Sequence, residues 1–429
     1  MQEDFFPAAE KILYDIENVF KKDTNLIGFE IIPALDNENK SPVLHAENSL
    51  GLASWSVKPL YRYAYNRLLE LRQNRNRRED PSTVSRWLLG ALLLNPDVTT
   101  FWNMRRELVR NGRLESKGEL HFVAVVLYYK AKCFEAFAYR RWLLQFILME
   151  DRVQSSNVET ILQNEVNIAS MSADRYANNY HAWNHREYIV STFRAYSPRN
   201  YRQFLIAEWQ SSGKWCSLHI SDYSGFAYRQ FLLKRLIQVE NEPGPQTRLE
   251  IRCREILSEF MKVETDAGSS GIPHLNASCH EALNYLHGAS DKLPSSSHDV
   301  NYLSIFTGLS YWAEECLFNE ELLNLYPGHE AFWYHRRFLS HLLVVLTKSY
   351  ERYSAYKTEL IDEKIPRRYR RDGEESGDGI SHSSAESPLE IAYKKRNCNI
   401  IESARNVGGH QNIMGERFAK FLSGRGLEL

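Results

Sequence analysis

The sequence predicts an all-α protein, an α-solenoid of antiparallel helical hairpins, and three observations support this prediction. The pattern Trp/Phe-x-x-Arg-x-x-Leu/Ile occurs five times in the 429 residues. Successive copies start 35, 46, 43 and 107 residues apart, and the first three intervals are typical of helical-hairpin repeats. An apolar segment long enough for a helix precedes the early copies, for example TVSRWLLGALLL and ELHFVAVVLYYKAK. The repeated positions, which we call anchors, are Trp102, Arg105, Phe137, Arg140, Trp183, Arg186, Phe226, Arg229, Trp333 and Arg336.

Each anchor segment also has the periodicity of a helix. At about 100° per residue, the aromatic anchor, the arginine three positions later and the residue seven positions later lie on one face. The aromatic anchors are therefore predicted to be core residues, and Trp183→Ala is expected to cost roughly 3–5 kcal/mol. The repeated arginines are predicted to be partly buried and hydrogen-bonded to carbonyls or a carboxylate of the adjacent helix, because an unsatisfied buried partner costs roughly 1–3 kcal/mol.

The chain divides into three predicted regions. Residues 1–80 are expected to form an N-terminal helical cap, two helices with an irregular connection. Residues 81–345 contain the repeats, with an insertion near 263–300 where Ser, Gly and Pro are frequent. Residues 346–429 are expected to hold a C-terminal helix, a disordered linker at about 366–388 and a tail. The linker passes from a basic run to an acidic, Ser/Gly-rich tract, a composition that cannot bury a core.

The fold of residues 240–300 is left open by the sequence. Two segments there, RLEIRCREILSEFMKVE and CHEALNYLHGA, have helical character. A further degenerate hairpin is one interpretation of them, and an irregular insertion is the other.

Composition narrows the functional class. The chain has 53 Lys and Arg against 54 Asp and Glu, for a net charge of -1, so binding to nucleic acid is not expected. No apolar run reaches the roughly 18 residues of a membrane span, and the acidic, amphipathic N-terminus is not typical of a secretory signal. The six cysteines form no CxxC pair, which favours reduced thiols and a cytoplasmic location.

Motifs for catalysis or metal binding are weak in this sequence. The nearest approach to a ligand set is Cys279-His280 with His287, and its spacing is not that of a zinc site. We find no Gly-rich phosphate loop, nucleophile elbow or carboxylate pair. The sequence therefore predicts that this chain binds no metal or cofactor and is not active alone.

The segment NNYHAWNHREY at residues 178–188 is one copy of the repeat, with an Asn-aromatic pair ahead of Trp-x-x-Arg. It resembles the repeat of the protein prenyltransferase α subunits, and the resemblance covers all five copies, roughly residues 82–345. The N-terminal block LIGFEIIPALDNENKSPVLHAENSLGLASW resembles a divergent branch of that family, the α subunits of the type III geranylgeranyltransferase.

The resemblance implies a function. In this family the α subunit is a crescent of helical hairpins around a β subunit that holds the catalytic zinc and the isoprenoid pocket. The chain would then be the α-type subunit of a heterodimeric protein geranylgeranyltransferase, with a Rab-type β subunit as partner. The complex would transfer a geranylgeranyl group from geranylgeranyl diphosphate to a protein cysteine. The type III resemblance implies that the substrate is an already farnesylated SNARE.

The resemblance also implies a role for Lys132. A family lysine at this position approaches the diphosphate leaving group, and a positioned ammonium stabilises the charge that develops there. Two neighbours depart from the family pattern, because Phe134 replaces a tyrosine and Glu135 replaces a glutamine that often contacts the carboxylate of the substrate. An acid at that position would repel a carboxylate.

The third repeat matches the family motif at Asn179, Tyr180 and His181, which the resemblance places at the rim facing the partner and its substrate. Asn178 replaces a family lysine, which weakens the local positive field.

The competing interpretation is a non-enzymatic helical-repeat adaptor or scaffold protein, since the same fold supports both functions. Glu135 and Asn178 favour this interpretation, whereas Lys132 and the Asn-Tyr-His motif favour the enzyme subunit. The sequence leaves open the protein substrate, the identity of the β subunit and the need for an escort protein.

Overall fold

A computed structural model describes residues 7–34, 41–74, 78–150, 155–238, 247–262, 302–364, 388–425 and 427. The described residues form fifteen helices and three strands, in two compact units, residues 1–201 and 202–429. The elements of the first unit are α1 (Ala9–Lys22), β1 (Gly28–Ile32), β2 (Val43–Ala46), β3 (Ser49–Ala53), α2 (Ser54–Gln73), α3 (Pro81–Leu94), α4 (Thr99–Arg110), α5 (Ser116–Tyr129), α6 (Phe134–Glu150), α7 (Ser155–Arg175) and α8 (Tyr180–Tyr196). Those of the second are α9 (Tyr201–Leu218), α10 (Tyr223–Gln238), α11 (Thr247–Met261), α12 (Tyr302–Leu325), α13 (Glu330–Lys364), α14 (Pro388–Val407) and α15 (Gly409–Ser423).

The first unit contains three successive hairpins, α3–α4, α5–α6 and α7–α8. Helices α3, α5 and α7 pack side by side in one layer, and α4, α6 and α8 form the other. The hairpin sequence starts at Asp80, whose carboxylate accepts hydrogen bonds from the amides of Ser82 and Thr83 and so caps α3. The predicted all-α solenoid of antiparallel hairpins is confirmed.

The second unit repeats this arrangement with longer connections. Helices α10, α12 and α13 pack together, and α14 and α15 form a terminal hairpin against α12 and α13. Helix α11 packs on α12 and α14. Arg396 of α14 donates to the carbonyls of Glu259 and Phe260, at the C-terminal end of α11. The C-terminal region therefore holds two helices after α13, where the sequence predicted one.

The N-terminal cap differs from its prediction. The connection between α1 and α2 is not irregular but forms a three-stranded sheet in the order β1-β3-β2, with β1 parallel and β2 antiparallel to β3. The two residues that join β2 and β3, Glu47 and Asn48, have φ of 47° and 59°, as the tightest hairpin turns require. Phe29, Leu50 and Leu52 of the sheet are fully buried.

The anchors lie in the interior. Every aromatic anchor and every anchor arginine is at most 4 % exposed. The side chains of the arginines reach between helices, and their hydrogen bonds follow a pattern. In both units, anchor arginines donate to a backbone carbonyl of the first helix of their own hairpin, as Arg140 does to Leu120 (2.6 Å) and Arg336 to Cys316 (2.9 Å).

Three anchor arginines also bind a glutamate on the first helix of the next hairpin. In each pair, which we call an interhairpin ion pair, both carboxylate oxygens accept from one guanidinium, and the Nε to Oε distances are 2.6, 2.8 and 2.8 Å. Both members are buried. The pairs are Arg105–Glu119, Arg140–Glu165 and Arg229–Glu315.

Each of these glutamates has a further partner twenty residues later, on the second helix of its own hairpin. The hydroxyl of Tyr139 donates to Glu119 (2.7 Å), and the Nε2 atoms of His185 and His335 lie 2.9 Å and 2.7 Å from Glu165 and Glu315. In the second unit Tyr228 donates to Glu208 in the same way. The carboxylates therefore have partners in two hairpins, which fixes the register between them.

Buried arginines lower the pKa of two of these carboxylates, those of Glu165 and Glu315. Burial raises the pKa of Glu165, but the charge of Arg140 and the hydrogen bond of His185 outweigh it and lower the pKa to about 2. The charge of Arg229 and the hydrogen bonds of Arg229 and His335 likewise outweigh burial at Glu315 and lower its pKa to about 2. Both groups are ionised at neutral pH.

Several predictions fall outside the described residues. These are the insertion near 263–300, with Cys279, His280 and His287, and the linker at 366–388 apart from its last residue. Within the described part of the chain, no helix is long and apolar enough to cross a membrane.

Candidate functional site

Two successive turns, between α5 and α6 and between α7 and α8, bring the predicted site residues together. Helices α5 and α7 are neighbours, as are α6 and α8, so the two turns lie at the same end of the first unit. The residue four positions before the aromatic anchor caps the second helix of each hairpin. Cys133 accepts from the amide of Ala136 through its sulfur, and Asn179 accepts from the amide of Ala182 through its Oδ1.

Asn179 does not lie on the surface, which corrects its predicted place at the rim. Its side chain is fully buried and uses all its hydrogen-bonding groups. The Nδ2 atom donates to the carbonyls of Ala131 (2.6 Å) and Ser172 (3.0 Å), while Oδ1 caps α8. A primary amide can satisfy two carbonyls and one amide at once, so Asn179 ties the two turns together rather than contacting a partner.

The surface at this end is formed by five side chains, which we call the loop-end cluster. Its centre is the ammonium of Lys132, whose Nζ lies 4.6 Å from the ring centroid of Tyr176 and 5.7 Å from that of Tyr180. Both tyrosines are about half exposed. The other two members are Phe134 and His181.

Phe134 and His181 complete the aromatic side of the cluster. The Phe134 ring is 51 % exposed and packs against His181 at a centroid distance of 5.4 Å. His181 also contacts the ring of Tyr180 at 3.9 Å. Partial burial, together with the charges of Lys132 and Arg141, lowers the pKa of His181. The imidazole is therefore neutral at neutral pH and leaves Lys132 as the charged member of the cluster.

The second turn is held on both sides of Tyr176. The guanidinium of Arg175 stacks on the ring of Tyr128 at 3.6 Å. Tyr128 also lies against Gly28 of the sheet, where a Cβ would be only 2.9 Å from a ring carbon. Asn178 takes a left-handed φ of 54°, a conformation that Asn adopts more readily than most residues. The turn that carries Tyr176 is therefore linked to the N-terminal sheet through Arg175 and Tyr128.

Glu135 lies beside the cluster, in the first turn of α6. Its carboxylate accepts a hydrogen bond from the hydroxyl of Thr99, at the start of α4, with an oxygen–oxygen distance of 2.7 Å. The acid is therefore in place next to the cluster and is held by the preceding hairpin.

Metal binding finds no support in the described ranges, where no group of three or more His, Cys, Asp and Glu side chains could hold an ion. What the cluster can do is bind an anion. An ammonium between π faces keeps its full charge and its N–H donors, because the rings attract it without neutralising it.

Sequence reasoning missed several of these residues. Tyr176 lies outside the helical periodicity, so no pattern pointed to it. The glutamates of the interhairpin ion pairs do leave a signal, because each precedes a Tyr or His of the anchor segment by twenty residues. Searching for a carboxylate at a fixed offset from the anchors would have found them.

The fold defines a helical-repeat protein, and the comparisons with known proteins agree with this class. The protein prenyltransferase alpha subunit repeat matches residues 116–147, 162–193 and 205–236. The first two matches cover the α5–α6 hairpin and most of α7–α8, and the third runs from α9 into α10.

Relatives extend this similarity over most of the chain. The human protein prenyltransferase alpha subunit repeat-containing protein 1 is 31% identical over 354 residues, which cover 78% of this chain and 77% of the relative. A Xenopus laevis protein, repeat-containing protein 1-A of the same kind, is 32% identical over 351 residues, 78% of this chain and 72% of its own. The geranylgeranyl transferase type-2 subunit alpha of Candida albicans is 28% identical over 142 residues, 30% of this chain and 36% of that protein. The chain belongs to the protein prenyltransferase alpha subunit repeat family.

Proposed function

We propose that this chain is the α-type subunit of a heterodimeric protein geranylgeranyltransferase in the cytoplasm. Its partner would be a β subunit, of the Rab type, that holds zinc and the isoprenoid pocket. Family membership supports an α-subunit role, and the distant similarity to a geranylgeranyl transferase type-2 subunit alpha supports the geranylgeranyl type. The acceptor would be a protein cysteine. In keeping with the type III resemblance, this cysteine would belong to an already farnesylated SNARE.

The proposed reaction requires a cation beside the departing diphosphate, and Lys132 of the loop-end cluster is the candidate for it. The sulfur of the acceptor cysteine forms a bond to C1 of the geranylgeranyl group while the C1–O bond breaks, and the electron pair of that bond leaves with diphosphate. The thiol proton passes to solvent. Zinc held by the β subunit would lower the pKa of the acceptor thiol, so that the thiolate is available for this step. Negative charge grows on the departing diphosphate, and a cation fixed beside it lowers the barrier.

The observation that carries the proposal is the state of Lys132. Its ammonium lies between the rings of Tyr176 and Tyr180. Among the residues that the structure describes, no carboxylate forms an ion pair with it. A lysine that is held in place by rings and not by an ion pair is better suited to bind a transient anion than to stabilise the fold.

Co-expression with candidate β subunits tests the proposal. The complex is purified and assayed in a single turnover for transfer from labelled geranylgeranyl diphosphate to an acceptor protein. We expect transfer, and a loss of about tenfold or more in Lys132→Ala. Lys130→Ala is the matched control, since Lys130 lies two residues earlier on the same turn and its Nζ lies 5.1 Å from the ring of Tyr129 instead.

The competing adaptor function predicts different outcomes. An adaptor should be as stable without a β subunit as with one, whereas a subunit with a large interface should be a folded but clearly less stable chain alone than in the complex. A chain that forms no complex with any β subunit and remains a folded monomer would contradict the proposal.

A further inference from the structure

Tyr176 belongs to no repeat motif, yet its ring lies closer to the ammonium of Lys132 than the ring of Tyr180 does. The distance from Nζ to its ring centroid is 4.6 Å, against 5.7 Å for Tyr180. Half of the Tyr176 side chain is exposed (49 %), so core packing does not explain the ring at this position.

A ring fixes a lysine in a way that a carboxylate cannot. A carboxylate beside Lys132 would hold it in place but would cancel its charge and occupy its donors, as the glutamates of the interhairpin ion pairs do for the anchor arginines. The face of an aromatic ring attracts the cation through its quadrupole and leaves the net charge unchanged. The choice of partner therefore decides whether the cation remains available to an anion.

The turn that carries Tyr176 is itself fixed. Arg175, directly before it, stacks on Tyr128 at 3.6 Å. Asn179, three residues after it, donates to the carbonyl of Ala131, the residue next to Lys132. These two contacts limit the movement of the ring relative to the lysine, which reduces the entropy lost when Lys132 is ordered.

We propose that Tyr176 is a positioning residue that holds the ammonium of Lys132 in place for an anionic diphosphate. The inference rests on the proposed function where it concerns catalysis, and on the geometry of the cluster alone where it concerns anion binding. Tyr176 acts through Lys132 and contacts no reacting atom. Its hydroxyl is not required, so a phenyl ring should serve.

The repeat offers a matched control for this residue. Tyr326 lies seven residues before the anchor Trp333, as Tyr176 lies seven before Trp183. Its side chain is similarly exposed, at 39 %. The residue that corresponds to Lys132 in the preceding hairpin is Ser221, so this tyrosine faces no equivalent lysine. Tyr326→Ala therefore removes a half-exposed ring from the same place in a hairpin without touching Lys132.

The test that does not depend on activity uses the full chain with its lysines reductively methylated with ¹³C, a modification that keeps their charge. The Lys132 signal is assigned from its absence in Lys132→Arg. We expect it upfield of the common position, that of the lysines that contact no ring, because of the ring current of Tyr176. It should move to the common position in Tyr176→Ala, stay in Tyr176→Phe and be unaffected in Tyr326→Ala. Inorganic diphosphate should shift it at about fivefold lower concentration in the wild type than in Tyr176→Ala.

Single-turnover transfer by the complex with its β subunit provides the second readout. We expect Tyr176→Ala to reduce the rate about fivefold with little change in the affinity for the acceptor protein, and Tyr176→Phe to restore most of it. A Lys132 signal at the common position in the wild type, or one that Tyr176→Ala does not move, overturns the inference. If the signals behave as expected but the wild-type complex transfers nothing, the positioning role stands and the proposed function fails.

Discussion

The interhairpin ion pairs and the loop-end cluster use cations in opposite ways. Arg140 in the interior has its guanidinium bound by both oxygens of Glu165 and by a backbone carbonyl, and is 3 % exposed. Lys132 at the loop end has two ring faces as its neighbours and is partly open to solvent. The first arrangement neutralises a charge in order to bury it, whereas the second orders a charge and leaves it available.

The difference indicates how to separate scaffold from site in a repeat protein. Repeated cations that find a carboxylate at a fixed offset stabilise the packing of hairpins. A cation that occurs once in the repeat frame and has rings instead of a carboxylate is a candidate for binding. Breaking each arrangement should therefore affect a different property, stability in one case and anion binding in the other.

The largest expected effect is on stability, from Glu165→Ala. The substitution leaves the buried Arg140 without its carboxylate and His185 without its partner, and removing one member of a buried ion pair typically costs about 3–5 kcal/mol. The free energy of unfolding of the full chain, measured by urea denaturation, checks it. Glu107→Ala, at an exposed site on α4, is the control and should change stability by less than about 0.5 kcal/mol. An equal, small effect of both variants would mean that the ion pair contributes little.

The ion pairs should also make stability depend on pH. Because the pKa of Glu165 and of Glu315 in the folded chain is about 2, below the ordinary value of 4.5, each stabilises the fold above pH 4.5. That contribution is lost as the pH falls towards 2. Burial lowers the pKa of His185 below its ordinary 6.5, so protonation of the unfolded chain adds a decrease that begins near pH 6.5. Urea denaturation across this range should show falling stability, with a shallower acid branch in Glu165→Gln. A flat profile would be inconsistent with buried, ionised carboxylates.

Tyr180→Glu should convert the cluster into an ion pair. The position is the first residue of α8, and the same place in α13 is naturally Glu330. A carboxylate there would pair with Lys132 and interact favourably with the helix N-terminus, so stability should stay within about 1 kcal/mol of the wild type or rise. Transfer should fall about tenfold. Tyr180→Gln removes the ring without adding charge, and its transfer rate should lie between those of the wild type and of Tyr180→Glu. Equal rates for the Glu and Gln variants would show that the charge of Lys132 is not used.

The smallest expected effect concerns Glu135, whose carboxylate beside the cluster is held by Thr99. Glu135→Gln removes a charge that repels a peptide carboxylate, so a peptide with a free C-terminus should bind the complex about twofold to fivefold more tightly. The gain should disappear at high salt, which screens such an exposed interaction. A peptide with an amidated C-terminus is the control and should bind both forms alike.

The anchors were sufficient to predict the solenoid because a buried helix face leaves a regular mark in sequence. Trp102 and Phe137 lie in the core for the reason their spacing indicates, the shared face of one helix. The sheet of the N-terminal cap was missed because its strands are only four or five residues long and their turn, at Glu47 and Asn48, lacks the glycine that marks most such turns.

The site was predicted in part. Lys132, Tyr180 and His181 do lie together at one end of the first unit. Asn179 was predicted at the rim, but its side chain is buried because it binds the carbonyl of Ala131, in a turn 48 residues away. Contacts between turns have no period in the sequence, and Tyr176 was overlooked for the same reason.

The interhairpin ion pairs also divide the chain into stretches whose length is fixed and stretches whose length is free. Within each of four hairpins, a glutamate and its ring are twenty residues apart. Between hairpins, the arginine and its glutamate are 14, 25 or 86 residues apart with the same geometry. Closing the longest of these intervals rather than the shortest costs only about 1.6 kcal/mol in chain entropy. Insertions can therefore accumulate between hairpins at little thermodynamic penalty, while a single residue added inside a hairpin would separate a buried carboxylate from its ring.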